Sequence, residues 1–484
     1  MNLPSSDAAG SANLSSYETQ TPLTGRLFFW AITSSLAGFI FGFDTVVISG
    51  AEEAIQKVWQ LSDGQHGFLL GAALYGTIIG SLGGGWPTDK LGRRLTLILL
   101  GVLFLLSALG CGFAPSPGVF IVARFIGGLG IGVSTVAAPL YISEISPARQ
   151  RGFLTALFQF NIVFGIIIAQ ISNLALNNHG DNSWRWMLGV AAVPSVVYLV
   201  MCFGLPESPR WLLTRKGDRA GGLRVLGLIN PQASAQDLDT EANAITAAAQ
   251  ADAAQSGSGF FSWRLRAPIM IAFLVAFFNQ LSGINAVLYF APRILKITGQ
   301  FNEHAALVQN IGLGVTNLIF TFVGLALIDR LGRKTLLIIG SLGYIVSLGL
   351  CAWAFFGQHF ANLTYFLFAF IASHAVGQGT VIWVLISEIF PNRFRAAGTA
   401  LGCGTHWVFA ALVTTLFPIA IGRLNISKVI NGAETVVHPE NAGYIFGFFC
   451  TMMVLQLLWA IIQVPETKGV PLDDIQRKLG ISGL

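Results

Sequence analysis

Apolar residues gather into twelve runs, near 26–50, 66–88, 96–114, 117–141, 152–174, 184–205, 267–292, 306–328, 335–356, 361–388, 397–421 and 441–464, with short polar breaks between them. Each run is close to the roughly 20 residues that a helix needs to cross the hydrocarbon core of a bilayer. The pattern predicts an all-α integral membrane protein with twelve transmembrane helices. A polar stretch over 208–266 divides the runs six and six. The expected organisation is a tail (1–25), a first six-helix bundle (26–207), a linker (208–266), a second bundle (267–465) and a second tail (466–484). Spans holding Pro139, Pro194, Pro292 or Pro418 are expected to break or tilt.

A charged loop occurs twice at equivalent places, Asp89-Lys90-Leu91-Gly92-Arg93-Arg94 and Asp329-Arg330-Leu331-Gly332-Arg333-Lys334. It implies two pseudo-symmetric halves, the build of many secondary transporters. The basic residues fix a side. Lys90, Arg93, Arg94, Arg149, Arg151, Arg330, Arg333, Lys334, Arg393 and Arg395 fall in even-to-odd loops, and Arg210, Arg215, Lys216, Arg219 and Arg224 in the middle segment. Those loops are expected to be cytoplasmic, with both termini inside. The odd-to-even loops hold little beyond Lys57, Arg293, Lys296, Arg423 and Lys428. In the linker, the alanine-rich stretch from Ala233 to Ala254 reads as short helices on the cytoplasmic face, with a flexible linker as the alternative.

Composition agrees with a membrane protein: 54% of the 484 residues are hydrophobic and only 11% charged. The net charge of +5 follows from loop topology and gives no reason to expect a nucleic-acid partner. Five cysteines lie in apolar runs at no metal-ligand spacing, so neither a disulfide framework nor a metal site is expected. No cleavable signal is expected, because the first apolar run is long and residues 1–24 lack a basic start. There is no nucleotide-binding loop, no cofactor motif and no soluble domain for an enzyme, and no filter-like repeat for a channel.

In each charged loop the acid and the arginines can join adjacent helix ends while the glycine permits a tight turn. Two copies in two halves resemble the signature loop of the major facilitator superfamily. Further motifs are similar to those of its sugar porter family: Arg124 in the fourth span, Pro139-Leu140-Tyr141-Ile142-Ser143-Glu144-Ile145, Pro206-Glu207-Ser208-Pro209-Arg210-Trp211, Ser387-Glu388-Ile389-Phe390-Pro391 with Arg393, and Pro465-Glu466-Thr467-Lys468-Gly469. That family includes bacterial proton-coupled symporters and animal facilitative carriers. The resemblance runs from about residue 26 to 475 and implies monosaccharide transport by alternating access.

Amides and aromatics within apolar spans suit a sugar, whose hydroxyls need hydrogen bonds and whose C–H faces need apolar surface. The resemblance implies a sugar site at Gln159, Gln170, Gln280, Asn285, Asn317, Trp383 and Trp407, with Asn279, His374 and His406 at places where relatives carry other residues. Interhelical hydrogen bonding is the alternative role for each. The two histidines resemble animal fructose carriers, whereas Trp383 does not, which leaves a slight lean to fructose or glucose among hexoses and pentoses. Tyr289, near Pro292, resembles a gating tyrosine.

Asp44, a carboxylate in the middle of the first span, must be protonated, paired or wet. Arg124 is its candidate partner, and the resemblance implies that the two couple transport to a proton. A permanent ion pair in a uniporter is the alternative. At the cytoplasmic helix ends, Glu144 with Arg151, and Glu388 with Arg393 or Arg395, lie within reach of Arg93 and Arg333. Together with Asp89 and Asp329 they form either a latch between the halves or static anchors. The expected protein is a monomer in a bacterial cell membrane, its partners a monosaccharide, a proton and the lipid bilayer. A transporter-like sugar sensor is the remaining rival.

Overall fold

The computed structural model describes residues 24–254, 259–430 and 433–481. Twelve helices in it are long and apolar enough to cross a membrane: Gly25–Gly50, Asp63–Gly83, Arg93–Gly112, Pro117–Ile145, Arg149–Leu176, Ser183–Cys202, Trp263–Ile297, Glu303–Leu331, Arg333–Phe356, Phe360–Ile389, Arg395–Arg423 and Pro439–Gln463. They are called spans 1 to 12 below. Span 1 starts where Thr24 accepts the Leu27 N–H at 3.2 Å, a side-chain cap for an otherwise unpaired donor. Within the first half, spans 1 and 5 approach closely: a Cβ on Gly42 would run into the Ile162 carbonyl, the close backbone packing that small residues permit in membranes.

Spans 2 and 11 pack along one seam between the halves and spans 5 and 8 along the other. Single polar bonds stitch each seam: Tyr75 and Thr415 hydroxyls at 2.6 Å, and Gln170 Nε2 to Asn310 Oδ1 at 3.2 Å.

Proline is gentler than the sequence suggests. Pro139 and Pro418 sit inside continuous helices, where packed neighbouring spans tolerate the lost backbone bond. Span 6 does break, at Val190–Ala191, with Pro194 in the first turn that follows. Span 7 breaks at Gly283 and kinks again at Phe290 (φ −121°, ψ 15°), just before Pro292.

The segment between the halves is helical over Arg219–Ile229 and Ala235–Ala254, the second started by a reciprocal Ser234–Asp237 cap at 3.0 and 3.2 Å. One element escapes the helical pattern: strands Ser427–Ile430 and Ala433–Val436 pair antiparallel between spans 11 and 12. β-branched residues on either side of Asn431-Gly432 are the sequence signal for such a hairpin.

The duplicated loop has one backbone geometry in both halves. Gly92 has φ +92°, ψ 166° and Gly332 φ +92°, ψ 165°, a region essentially closed to side chains. A Cβ there would also press on the Glu207 carboxylate in the first half and on Glu466 in the second. Gly92→Ala should therefore cost about 1–3 kcal/mol, read as a lower melting temperature of the detergent-solubilised protein.

Candidate functional site

Span 1 places Asp44 opposite Arg124 of span 4, at 9% and 0% exposure. Arg124 Nη1 donates to Asp44 Oδ1 at 2.7 Å, and Nη1 and Nη2 both reach the Asp44 backbone carbonyl at 3.3 Å. The second carboxylate oxygen, Oδ2, is buried without a hydrogen-bond partner among the described residues. One oxygen is thus clamped and the other is open to a proton. After protonation the guanidinium still has the backbone carbonyl to hold it in register. Stripping either charge from such a pair leaves the other buried alone, at a cost of about 3–5 kcal/mol.

A polar and aromatic cluster forms around the break in span 7. Gly283 takes the left-handed conformation (φ +84°, ψ 12°) that ends helix Arg266–Leu281 and starts Ile284–Ile297. In the last turn before it, Gln280 Nε2 lies 2.9 Å from Asn279 Oδ1 and 3.2 Å from both ring nitrogens of His406. His406 lies between Trp383 and Trp407, with ring centroids 5.3 and 4.8 Å away. Trp407 meets Phe41 across the halves at 5.6 Å, three residues before Asp44. Gln280 Oε1 is buried with no partner among the described residues, so the cluster retains an unused acceptor.

The other expected contacts divide. Gln159, Asn317 and Asn285 hold no side-chain hydrogen bond among the described residues; the first two are half-buried and Asn285 is buried. Gln170 is tied into the seam, in a chain that runs on through Asn310 Nδ2 to Ser49 Oγ at 3.2 Å, though its Oε1 stays unpartnered. His374 turns to span 9, its Nδ1 2.5 Å from the Tyr344 hydroxyl. Tyr289, in the outer segment of span 7, is buried next to the Asp44–Arg124 pair.

At the charged-loop face two matching clusters appear. Arg93 holds Glu144 with a bidentate pair at 2.9 and 3.0 Å and Asp89 at 3.2 Å; Arg333 holds Glu388 at 3.0 and 2.8 Å and Asp329 at 3.1 Å. Glu207 accepts the Arg93, Arg94 and Ser208 N–H groups, and Glu466 those of Arg333, Lys334, Thr467 and Lys468. Burial raises the Glu207 carboxyl above the usual range despite those bonds. Burial acts the same way on the more open Glu466, but there the N–H donors win and hold it low.

All of these bonds stay within one half, the arrangement of the anchors given as the alternative to a latch, and the partners within each cluster differ from those expected. Glu144 and Glu388 pair with Arg93 and Arg333, whereas Arg151 is exposed with no ion pair among the described residues and Arg393 stacks on Phe394 at 4.8 Å. The planar forks of Arg93 and Arg333 match the two oxygens of a facing carboxylate, which gives these arginines the bidentate pair.

Among the described residues the ion pairs that cross the halves lie on the opposite face. Glu52, 1% exposed, meets Arg293 of span 7 at 3.3 Å and His66 of span 2 at 3.2 Å, and Lys296 pairs with Glu53. Burial opposes charge on Glu52, yet Arg293, His66 and Lys296 together hold it below the usual carboxylate range. Sequence reasoning counted Arg293 and Lys296 only as loop charges and passed over Glu52, Glu53 and His66. Opposite charges at the ends of spans 1 and 7 were the available signal.

Two six-helix halves, a buried polar cluster between them and ion pairs at each face define a secondary transporter. The family model described as "Sugar (and other) transporter" matches residues 30–479, and the chain belongs to that family, within the major facilitator superfamily. It is 32% identical over 459 residues to the galactose-proton symporter of Escherichia coli strain K12, covering 93% of this chain and 94% of that protein. With the D-xylose-proton symporter of the same strain it shares 32% over 490 residues, covering 93% and 95%. The inward-open structure of the E. coli xylose transporter superposes with a TM-score of 0.77 at 29% identity, covering 93% of this chain and 99% of that one. The relatives are transporters and not enzymes.

Arg293→Met leaves the buried Glu52 with His66 and the more distant Lys296. It should weaken the closure of that face by about 3–5 kcal/mol, seen as a longer distance between spin labels on the nearby ends of spans 1 and 7; unchanged distances would mean that the ion pair does not hold the face shut.

Proposed function

We propose that this protein is a proton-coupled monosaccharide symporter that works by alternating access. The observation that carries this is the buried Asp44–Arg124 pair with one carboxylate oxygen free. When Asp44 is charged, Arg124 balances it; when the far side opens and a proton lands on Oδ2, the pair loosens and span 1 is free to move against span 4. Burial disfavours the charged acid and the guanidinium favours it, so a change in hydration tips the balance. The similarity to proton symporters for galactose and xylose supports the reading.

The sugar is assigned to the cluster around the span 7 break. Gln280, Asn279, Asn285, Gln159 and Asn317 supply hydroxyl partners, and Trp383 and Trp407 supply faces for its C–H surface. Gln170 contributes through its free Oε1. His406, at the centre of that cluster, is the histidine that reads the sugar, while His374, engaged by Tyr344, supports span 10. We favour a hexose, fructose or glucose. Tyr289 and the Glu52–Arg293 tie close the outer side, and the Arg93 and Arg333 clusters, with Asp89, Glu144, Asp329 and Glu388, brace the inner helix ends as each half rocks. The basic loops support a reading in which that inner face and both termini lie in the cytoplasm of a bacterial cell, with the protein acting as a monomer. Among the described residues the ion pairs between the halves, Glu52–Arg293 and Glu53–Lys296, lie on that outer side, which supports an inward-facing conformation.

Asp44→Asn should abolish accumulation of labelled sugar driven by a proton gradient in proteoliposomes, while exchange between equal sugar pools continues. Full accumulation in that variant would make the pair a static strut in a uniporter, and loss of all transport with sugar binding intact would indicate a sensor. His406→Asn should change the ratio of fructose to glucose competition by about fivefold, the size of one hydrogen bond; an unchanged ratio would remove His406 from the sugar's contacts.

A further inference from the structure

A cavity of about 490 Å³ opens at the charged-loop face between the ends of spans 1, 3 and 6, outside the transport pathway. Its walls include Arg26, Phe29, Trp30, Arg94 and Pro206, with Leu228 of helix Arg219–Ile229 as a roof. Arg94 is aimed by its Nη2 bond to the Phe203 carbonyl at 3.0 Å, and Arg26 stands in the first turn of span 1. Among the described residues neither guanidinium meets a carboxylate, since the nearby Glu207 is taken up by backbone N–H groups. Exposed Phe28, Phe29 and Phe203 continue the wall toward the membrane interior. Two cations at the level of the headgroups above an exposed apolar wall match a phosphodiester with its acyl chains.

The second half repeats only part of this arrangement. There Arg266, at the start of span 7, stacks on Trp263 at 4.4 Å, and Lys334, the counterpart of Arg94, is bound by its Nζ to the Ile461 carbonyl at 2.8 Å. The Lys334 bond repeats that of Arg94 to the Phe203 carbonyl, so the halves differ in the cation of the first turn, stacked on a ring at Arg266 and without a described contact at Arg26.

We infer that this cavity binds the headgroup of an anionic phospholipid from the cytoplasmic leaflet, with Arg26 and Arg94 on its phosphate. The leaflet follows from the orientation proposed above; the site itself does not depend on sugar or proton coupling. A lipid held there bridges span 1, which carries Asp44, to span 3, whose first residue organises the inner cluster, so its binding favours the conformation in which those two ends are close.

The test is retention of phosphatidylglycerol by the purified protein in mixed phosphatidylglycerol–phosphatidylcholine nanodiscs, read by native mass spectrometry. Arg26→Gln, which removes no described contact, should lower retention about fivefold and Arg26→Gln with Arg94→Gln about 25-fold. Leu228→Trp, which narrows the cavity and leaves both charges, should lower it as well. Arg264→Gln, a basic residue on the same face of the other half, should change nothing, and millimolar inorganic phosphate should not displace the lipid. Equal retention in the Arg26→Gln and Leu228→Trp proteins, or equal loss in Arg264→Gln, would overturn the site. Displacement by inorganic phosphate would make it a soluble-anion site and overturn the lipid assignment. Because retention is measured without sugar or a proton gradient, it stands or falls separately from symport.

Discussion

A carboxylate and a guanidinium buried together in the first bundle set the terms for the rest of the molecule. Neither Asp44 nor Arg124 is stable at that depth without the other, so spans 1 and 4 are held in register for as long as both are charged. The free Oδ2 makes this a conditional constraint. Neutralising the acid removes the main reason for register and leaves only the backbone carbonyl bonds. Phe41, three residues before Asp44, meets Trp407 of the polar and aromatic cluster, so packed rings connect the ion pair to that cluster.

Symmetry and asymmetry divide the work. The Arg93 and Arg333 clusters repeat their central bonds, down to the glycine conformation and the carboxylate that accepts the N–H groups of the following helix, as expected of two bundles that rock as rigid bodies. The chemistry is unpaired: the ion pair belongs to the first half, the span 7 break and its amides to the second. The halves meet through Glu52–Arg293 at one face and through the two seams, and a ligand between them changes what those few contacts must hold.

Much of this was legible in the chain. Twelve apolar runs and a duplicated loop give the fold because bilayer thickness fixes helix length and the loop marks equivalent ends. Asp44 and Arg124 were readable as a pair because charge in an apolar span demands an explanation. Partner choice was harder. Glu144 has Arg151 seven residues away in sequence, yet the rigid fork of Arg93 on the adjacent helix end takes it. Spacing says which residues are near one end of a helix, and not which neighbouring helix stands there. The outer tie was missed for the same reason, as Glu52 and Arg293 are 241 positions apart. His374 and His406 looked alike in sequence and separate in space, one facing span 9 and the other Gln280.

The account stands on protons moving with sugar. The direct measurement is the external pH of a weakly buffered suspension of proteoliposomes when sugar is added with no gradient imposed. Alkalinisation in step with sugar entry is the predicted result, and sugar entry with no change in pH would contradict it.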